Sequence, residues 1–266
     1  LKRERDEIQR INEKIHAQNK KILSQSNEVK EAYAVKNKLY SIIAHDLINP
    51  LNSIIGFSEI LCENADQDNP KEVQKYSHIV HENSIRTYNL LRNLLDWSRL
   101  QSNKMTLNSE EVDLKIIVDE VVVYMKDFFL QKGLKIKFNM DSSVFVSVDR
   151  NMIHTVLRNL VSNAGKYSFP GSDVIIDVSD SVDETKVCVK DFGTGMTVEE
   201  QKLLLDLDES KSKLGTNNEK GTGLGLLLCH SFVTLHGGKF WVESKLGEGA
   251  TFIFTLPKHA KSQRSG

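Results

Sequence analysis

Apolar residues recur at intervals of seven near the start of the chain: Leu1, Ile8, Ile15, Ile22 and Val29, with Ile11, Ala32 and Leu39 on the complementary heptad position. Such a repeat keeps one seam facing a partner helix and winds a left-handed coiled coil. Gln18 and Gln25 weaken the second position, and no Gly or Pro interrupts the run before Pro50. A coiled-coil helix is therefore expected over 1–38. From Leu39 the apolar residues crowd together: Leu39, Ile42, Ile43, Leu47, Leu51, Ile54, Ile55 and Leu61 step mostly by three and four, the spacing of a helix face. A turn-like cluster from Asn64 to Pro70 follows, and a second helical pattern runs through Val73, Tyr76, Val80, Leu91, Leu94 and Trp97. Two such helices over 39–104 make a hairpin, which is half of a four-helix bundle. A lone hairpin cannot bury both stripes, so a homodimer is expected.

After Lys104 the texture changes. Helical patterns are read at 114–129, 151–167 and 221–235. Strand-like runs are read at 135–139, 144–148, 174–178, 186–190, 239–243 and 251–256. That mixture predicts an α/β sandwich over 105–258, with helices on one face of a sheet. The whole is an α+β chain: a coiled coil leading into a dimeric four-helix bundle, then the sandwich. A polar tail at 259–266 is expected to be disordered.

Composition narrows the function. The chain has 266 residues, 39% of them hydrophobic, enough for about two domains with real cores. Lys and Arg number 35 against 36 Asp and Glu, so no basic field points to nucleic acid. Cys62, Cys188 and Cys229 are too few and too scattered for a disulfide framework or a zinc site, which suits the cytoplasm. No apolar run approaches the roughly 18–20 residues of a membrane span, and no signal peptide is present. The chain opens on Leu1 rather than Met, so it is expected to be a fragment.

Two regions carry candidate chemistry. On a helix, Ser41, His45, Asn49 and Asn52 share one polar face flanked by apolar residues, which presents His45 to solvent. A carboxylate from Asp46 bonded to Nδ1–H would leave a free Nε2 lone pair, the nucleophilic form. Pro50 should kink the helix within a turn of His45. The second region is a nucleotide site in three pieces. Asn159, Asn163, Lys166 and Tyr167 line one helix face; an amide oxygen is a suitable hard ligand for Mg²⁺, and a lysine adds charge for phosphate. Asp191, Gly193 and Gly195 follow a strand, where a carboxylate can accept the exocyclic amine of adenine and glycines admit close approach. Gly221, Thr222, Gly223, Leu224 and Gly225 open an apolar helix, an arrangement suited to anions. The polar stretch 206–220, with Lys211, Lys213 and Lys220, has the composition of a lid.

Taken in order, these motifs resemble the cytoplasmic core of a bacterial sensor histidine kinase over roughly residues 39–257. His45-Asp46-x-x-Asn49-Pro50 matches that family's phosphoacceptor box, Asn159 to Tyr167 its N box, and the two glycine runs its glycine boxes. The resemblance implies a dimerisation and phosphotransfer hairpin followed by a Bergerat-type ATP-binding domain. It implies ATP with Mg²⁺, Asn163 as metal ligand, Asp191 as adenine anchor, and Lys166, Tyr167 and Thr251 as nucleotide contacts. It implies His45 as phosphoacceptor, with Asn49 associated with phosphatase activity. It further implies a response regulator receiver domain as partner, and a membrane tether through an N-terminal sensor region absent from this chain. One departure stands out: the stretch 203–210 lacks the family's lid phenylalanine, leaving Leu205 and Leu207 as substitutes. Without the histidine hairpin, a conformational ATPase would share the same ATP fold; without intact nucleotide motifs, a silent dimeric scaffold would remain.

Overall fold

The computed structural model describes residues 46–63, 69–102, 105–140, 143–204, 216 and 224–258, with scattered positions up to residue 30. His45, Gly221, Thr222, Gly223, Leu205, Leu207, the tail 259–266 and most of the heptad seam lie outside the described residues. Two compact units divide the chain, Leu1–Asn83 and Ser84–Gly266.

In the first unit, Ile15 and Ile22 of the seam are helical and exposed in the single chain. Asp46 and Leu47 form a wide π-type turn that leads into α1 (Ile48–Glu63). Pro50 has no N–H for the helical ladder, and a widened turn just before it is the expected distortion. The next helix, α2 (Pro70–Gln101), begins on a proline, where the missing N–H would have had no partner. The carbonyl of Asn69 accepts from the N–H groups of Glu72 and Val73 at 3.1 and 3.2 Å. Phe57 of α1 stacks on Tyr76 of α2 with ring centroids 5.5 Å apart, and Asn83 Nδ2 donates to Ser53 Oγ at 3.4 Å. These contacts hold the expected hairpin together. The helix α2 crosses into the second unit, where Leu90 and Trp97 are buried.

The second unit is the expected sandwich. In chain order it continues β1 (Glu110–Asp113), α3 (Leu114–Lys132), β2 (Lys135–Asn139), β3 (Phe145–Val148), α4 (Arg150–Tyr167), β4 (Asp173–Asp180), β5 (Glu184–Lys190), α5 (Val198–Leu203), α6 (Leu224–Leu235), β6 (Phe240–Lys245) and β7 (Gly249–Pro257). Five strands form one sheet in the order β2-β4-β5-β7-β6; β2 pairs parallel with β4, and the other pairs are antiparallel. Val174, Ile176, Val187, Val189, Phe252 and Phe254 alternate onto one buried face. Ile153, Leu157 and Leu160 of α4 and Leu228 and Phe232 of α6 are buried with them. Fully burying side chains of this size is worth roughly 1.5–3 kcal/mol each, so this layer is the core that fixes α4 and α6 against the sheet.

Local signals fix the helix ends. Asp113 caps α3 by accepting from Lys115 N–H, and Gly133 ends it with a left-handed φ of 69°. Asp149 caps α4 by accepting from the N–H groups of Asn151 and Met152. Sequence reading missed two elements. In β1 only Val112 is buried, and the strand exists through its antiparallel pairing with β3. The six-residue α5 is started by a capping box in which Thr197 and Glu200 serve each other's backbone N–H groups. His236 is buried: Nε2 accepts from Asp149 N–H at 2.9 Å and Nδ1 stands 2.7 Å from Phe232 O. It joins the end of α6 to the start of α4.

Candidate active site

The expected nucleotide residues begin on α4. Asn159 and Asn163 are half-buried, and Lys166 is buried. Lys166 Nζ donates to the Tyr167 hydroxyl at 3.1 Å and lies 4.7 Å from the centre of that ring. The Asn159 carboxamide lies against Gly225, where an added side chain would meet it at 3.4 Å. Asn159 Nδ2 is buried beside the start of α6 with no oxygen or nitrogen acceptor among the described residues. Leu224, the first described residue of α6, is buried. The first and third motifs therefore meet.

The second motif meets the first through close backbone contact. A Cβ on Gly193 would lie 1.8 Å from Tyr167 O, so only glycine fits there. Thr194 N–H donates to Tyr167 O at 3.3 Å, and Ser168 bridges to Gly193. Gly195 has a φ of 60° and sits against Lys245 O, so it too excludes a side chain.

Asp191 stands at the end of β5 and is only 3% exposed. Its Oδ1 accepts from the N–H groups of Gly193 and Ala250, each at 3.1 Å. Burial pushes its carboxyl up to about 6, against the pull of those two hydrogen bonds, which favour the ionised form. The result is a dry carboxylate with one oxygen committed to the fold.

Thr251 stands on β7. It pairs with Lys190 on β5 and Glu243 on β6. Strand alternation turns its side chain to the sheet face opposite Asp191, although it borders a small pocket that also touches Asp191. Ala250 holds the same-face position, and its backbone exchanges bonds with Asp191.

The donor set suits a hydrated cation carried on phosphate. No group of three His, Cys, Asp or Glu side chains among the described residues is arranged to hold a metal. The amides of Asn159 and Asn163 are neutral oxygen donors on one helix face, which fits Mg²⁺ taking most of its ligands from phosphate and water. Of the phosphoacceptor box, Asp46 is half-exposed and Asn49 is exposed on α1. Residues outside the sequence reading also bear on the site: Ala250, Lys132 and Thr216. Each acts through contacts more than thirty residues away in sequence, which no local spacing reveals.

Residues 148–260 match the family of histidine kinase-, DNA gyrase B- and HSP90-like ATPases. Residues 35–103 match the His Kinase A phospho-acceptor domain. The chain carries the catalytic core of a sensor histidine kinase. This kinase is 29% identical over 224 residues to the sensor protein SrrB of Staphylococcus aureus, an alignment covering 84% of the chain but only 38% of SrrB. Among solved structures, the Acinetobacter baumannii histidine kinase AdeS aligns over 81% of this kinase and 98% of its own chain, with TM-score 0.60 and 21% identity. The histidine kinase ThkA, solved in complex with the response regulator protein TrrA, aligns over 88% of this kinase and 65% of its own chain, with TM-score 0.59 and 25% identity. The fold is thus that of the family, with an ATP-binding sandwich after a helical hairpin.

Proposed function

We propose that this kinase moves the γ-phosphoryl group of ATP to His45, passes it to an aspartate of a response regulator receiver domain, and also dephosphorylates that regulator. The observation that carries the reading is the convergence of three motifs: Tyr167 against Gly193, Asn159 against Gly225, and Asp191 buried at the strand end. In this reading the Asp191 carboxylate accepts the exocyclic amine of adenine, and Lys166 and Tyr167 contact the nucleotide. The run Gly221, Thr222, Gly223, Leu224 and Gly225 is assigned to the phosphates by its sequence, since backbone N–H groups and the dipole at a helix start favour anions. Asn163 would hold Mg²⁺, which supplies neutralisation of phosphate charge when bound. Phosphoryl transfer asks the protein for positioning and electrostatics more than covalent help. His45 Nε2 attacks the γ-phosphorus, the bond to the β,γ-bridging oxygen breaks, and ADP leaves. Asp46 holds the Nδ1 proton and so sets the nucleophilic tautomer.

Exposed apolar stripes support a homodimer: Ile48, Leu51 and Ile55 on α1, and Ile85, Tyr88, Leu91 and Leu95 on α2. The response-regulator complex of ThkA supports a receiver partner. None of the described helices is long and apolar enough to cross a membrane; the proposal assigns the sensor and its membrane tether to further chain, in keeping with the 38% coverage of SrrB.

The test is nucleotide binding by Asn163→Ala. The variant is expected to keep its fold and lose Mg²⁺-dependent ATP affinity. Unchanged affinity with magnesium present would remove the metal role.

A further inference from the structure

Lys132 is the last residue of α3 and is only 6% exposed. A buried ammonium needs several acceptors in place of its water. Its Nζ donates to Gly165 O at 2.9 Å and to Lys166 O at 2.7 Å, both in the last turn of α4. A helix leaves its final carbonyls without intrahelical donors, and the negative end of its dipole gathers there. Lys132 supplies both the donors and the positive charge. A third element reaches the same carbonyl: Thr216 N–H donates to Lys166 O at 3.1 Å. The Thr216 hydroxyl stands 2.8 Å from Ser168 O and 3.2 Å from Lys166 O. It has one proton, and the shorter distance makes Ser168 O its acceptor. The peptide that carries Lys166 and Tyr167 is thus tied from α3 by Lys132 and from the 205–223 stretch by Thr216. Tyr167 O is held in turn by Thr194 N–H.

We propose that Lys132 and Thr216 are positioning residues for the nucleotide. They fix the segment Gly165–Ser168 at the end of α4, Lys132 through Gly165 O and Lys166 O and the Thr216 hydroxyl through Ser168 O, and so aim the Lys166 and Tyr167 side chains on which ATP affinity depends. The inference rests on the reading of Lys166 and Tyr167 as nucleotide contacts.

The experiment measures ATP·Mg²⁺ affinity, phosphorylation rate at saturating ATP, and melting temperature without nucleotide, in the full chain. Lys132→Met removes the charge at similar length, and Thr216→Val removes the hydroxyl. Each is expected to weaken ATP binding roughly fivefold or more while changing the saturated rate less than about twofold, the split of a binding-position defect. The double variant should lose less than the product of the two single losses, because both hold the same short segment at the end of α4. Lys132→Arg should recover most of the affinity. Unchanged ATP affinity with a lowered melting temperature would reduce both residues to plain helix caps. Fully multiplicative losses would overturn the joint hold on that segment. If Lys132→Met does not fold, Thr216→Val alone decides: normal affinity overturns the proposal. Lys166→Met separates the layers. Normal ATP binding in that variant sinks the site reading itself; weakened binding there beside normal Lys132→Met and Thr216→Val sinks only the positioning role.

Discussion

Asp191 works against the fold that holds it. Burial raises its carboxyl to about 6 from an ordinary 3.8, so above that pH the empty site carries a costly buried charge. At 1.36 kcal/mol per unit the cost at neutral pH is on the order of 2–3 kcal/mol. Protonation relieves it, so this unfavourable contribution is present above pH 6 and fades as pH falls toward 4. Asp191→Asn keeps an oxygen for the Gly193 and Ala250 N–H groups and removes the charge. It should therefore raise the melting temperature of the nucleotide-free protein at pH 7.5 while lowering ATP affinity at least roughly tenfold, since an amide nitrogen cannot accept from adenine. Calorimetry and nucleotide titration on the same sample check both halves; a variant less stable than the parent contradicts the first. In the parent, ATP affinity should fall as pH is lowered through about 6. Asp191 was legible from its place after a strand in a glycine-containing run. Its environment was not, because Ala250 lies 59 residues further on. The place of Ala250 beside Asp191 was hidden for a related reason: the glycine run before β7 does not declare which residue faces the helices.

Helices and strands with clear periodicity were legible as elements, because burying one face needs that spacing. The exceptions, β1 and α5, are short and lean on a partner strand or a cap rather than on an apolar face. The tie between elements was the hidden part. His236 must be neutral, with Nδ1–H donating to Phe232 O and Nε2 accepting from Asp149 N–H, and burial lowers its pKa. A group depressed in the fold binds fewer protons there than when unfolded. The stability it supports is complete above the unfolded value of about 6.5 and is lost as pH falls below it. His236→Asn, whose amide can also donate and accept, should show a shallower loss of melting temperature between pH 7 and 5 than the parent. Equal slopes would mean that His236 is not the titrating tie. Since Asp191 shifts stability the opposite way over part of this range, the difference between the two proteins is the readout. On α1, Asn49, four residues after His45 in sequence, is exposed. An amide there can aim a water at phosphorus without acting as a strong base. Asn49→Ala should spare autophosphorylation and slow dephosphorylation of a phospho-receiver at least about tenfold, or 1.4 kcal/mol of barrier. Equal decay rates would leave Asn49 as a residue of the Pro50 distortion alone.

For the whole molecule, the order of four motifs along the chain was enough to read the family, since each motif is a local spacing. Their assembly into one site was not readable: the contacts Tyr167–Gly193 and Asn159–Gly225 span 26 and 66 residues and depend on sheet topology. The stripes left exposed on α1 and α2 predict a dimer at micromolar concentration by sedimentation, weakened but not abolished when residues 1–38 are removed. A monomeric full chain would contradict it. The central claim is transfer from ATP to one histidine, and the direct measurement is incubation with γ-labelled ATP·Mg²⁺ followed by acid and base treatment of the protein. The expected label is lost in acid, survives base, and is absent from His45→Gln even though that variant still binds ATP. Label persisting in His45→Gln, or ATP consumed with no labelled protein at any time, would contradict it.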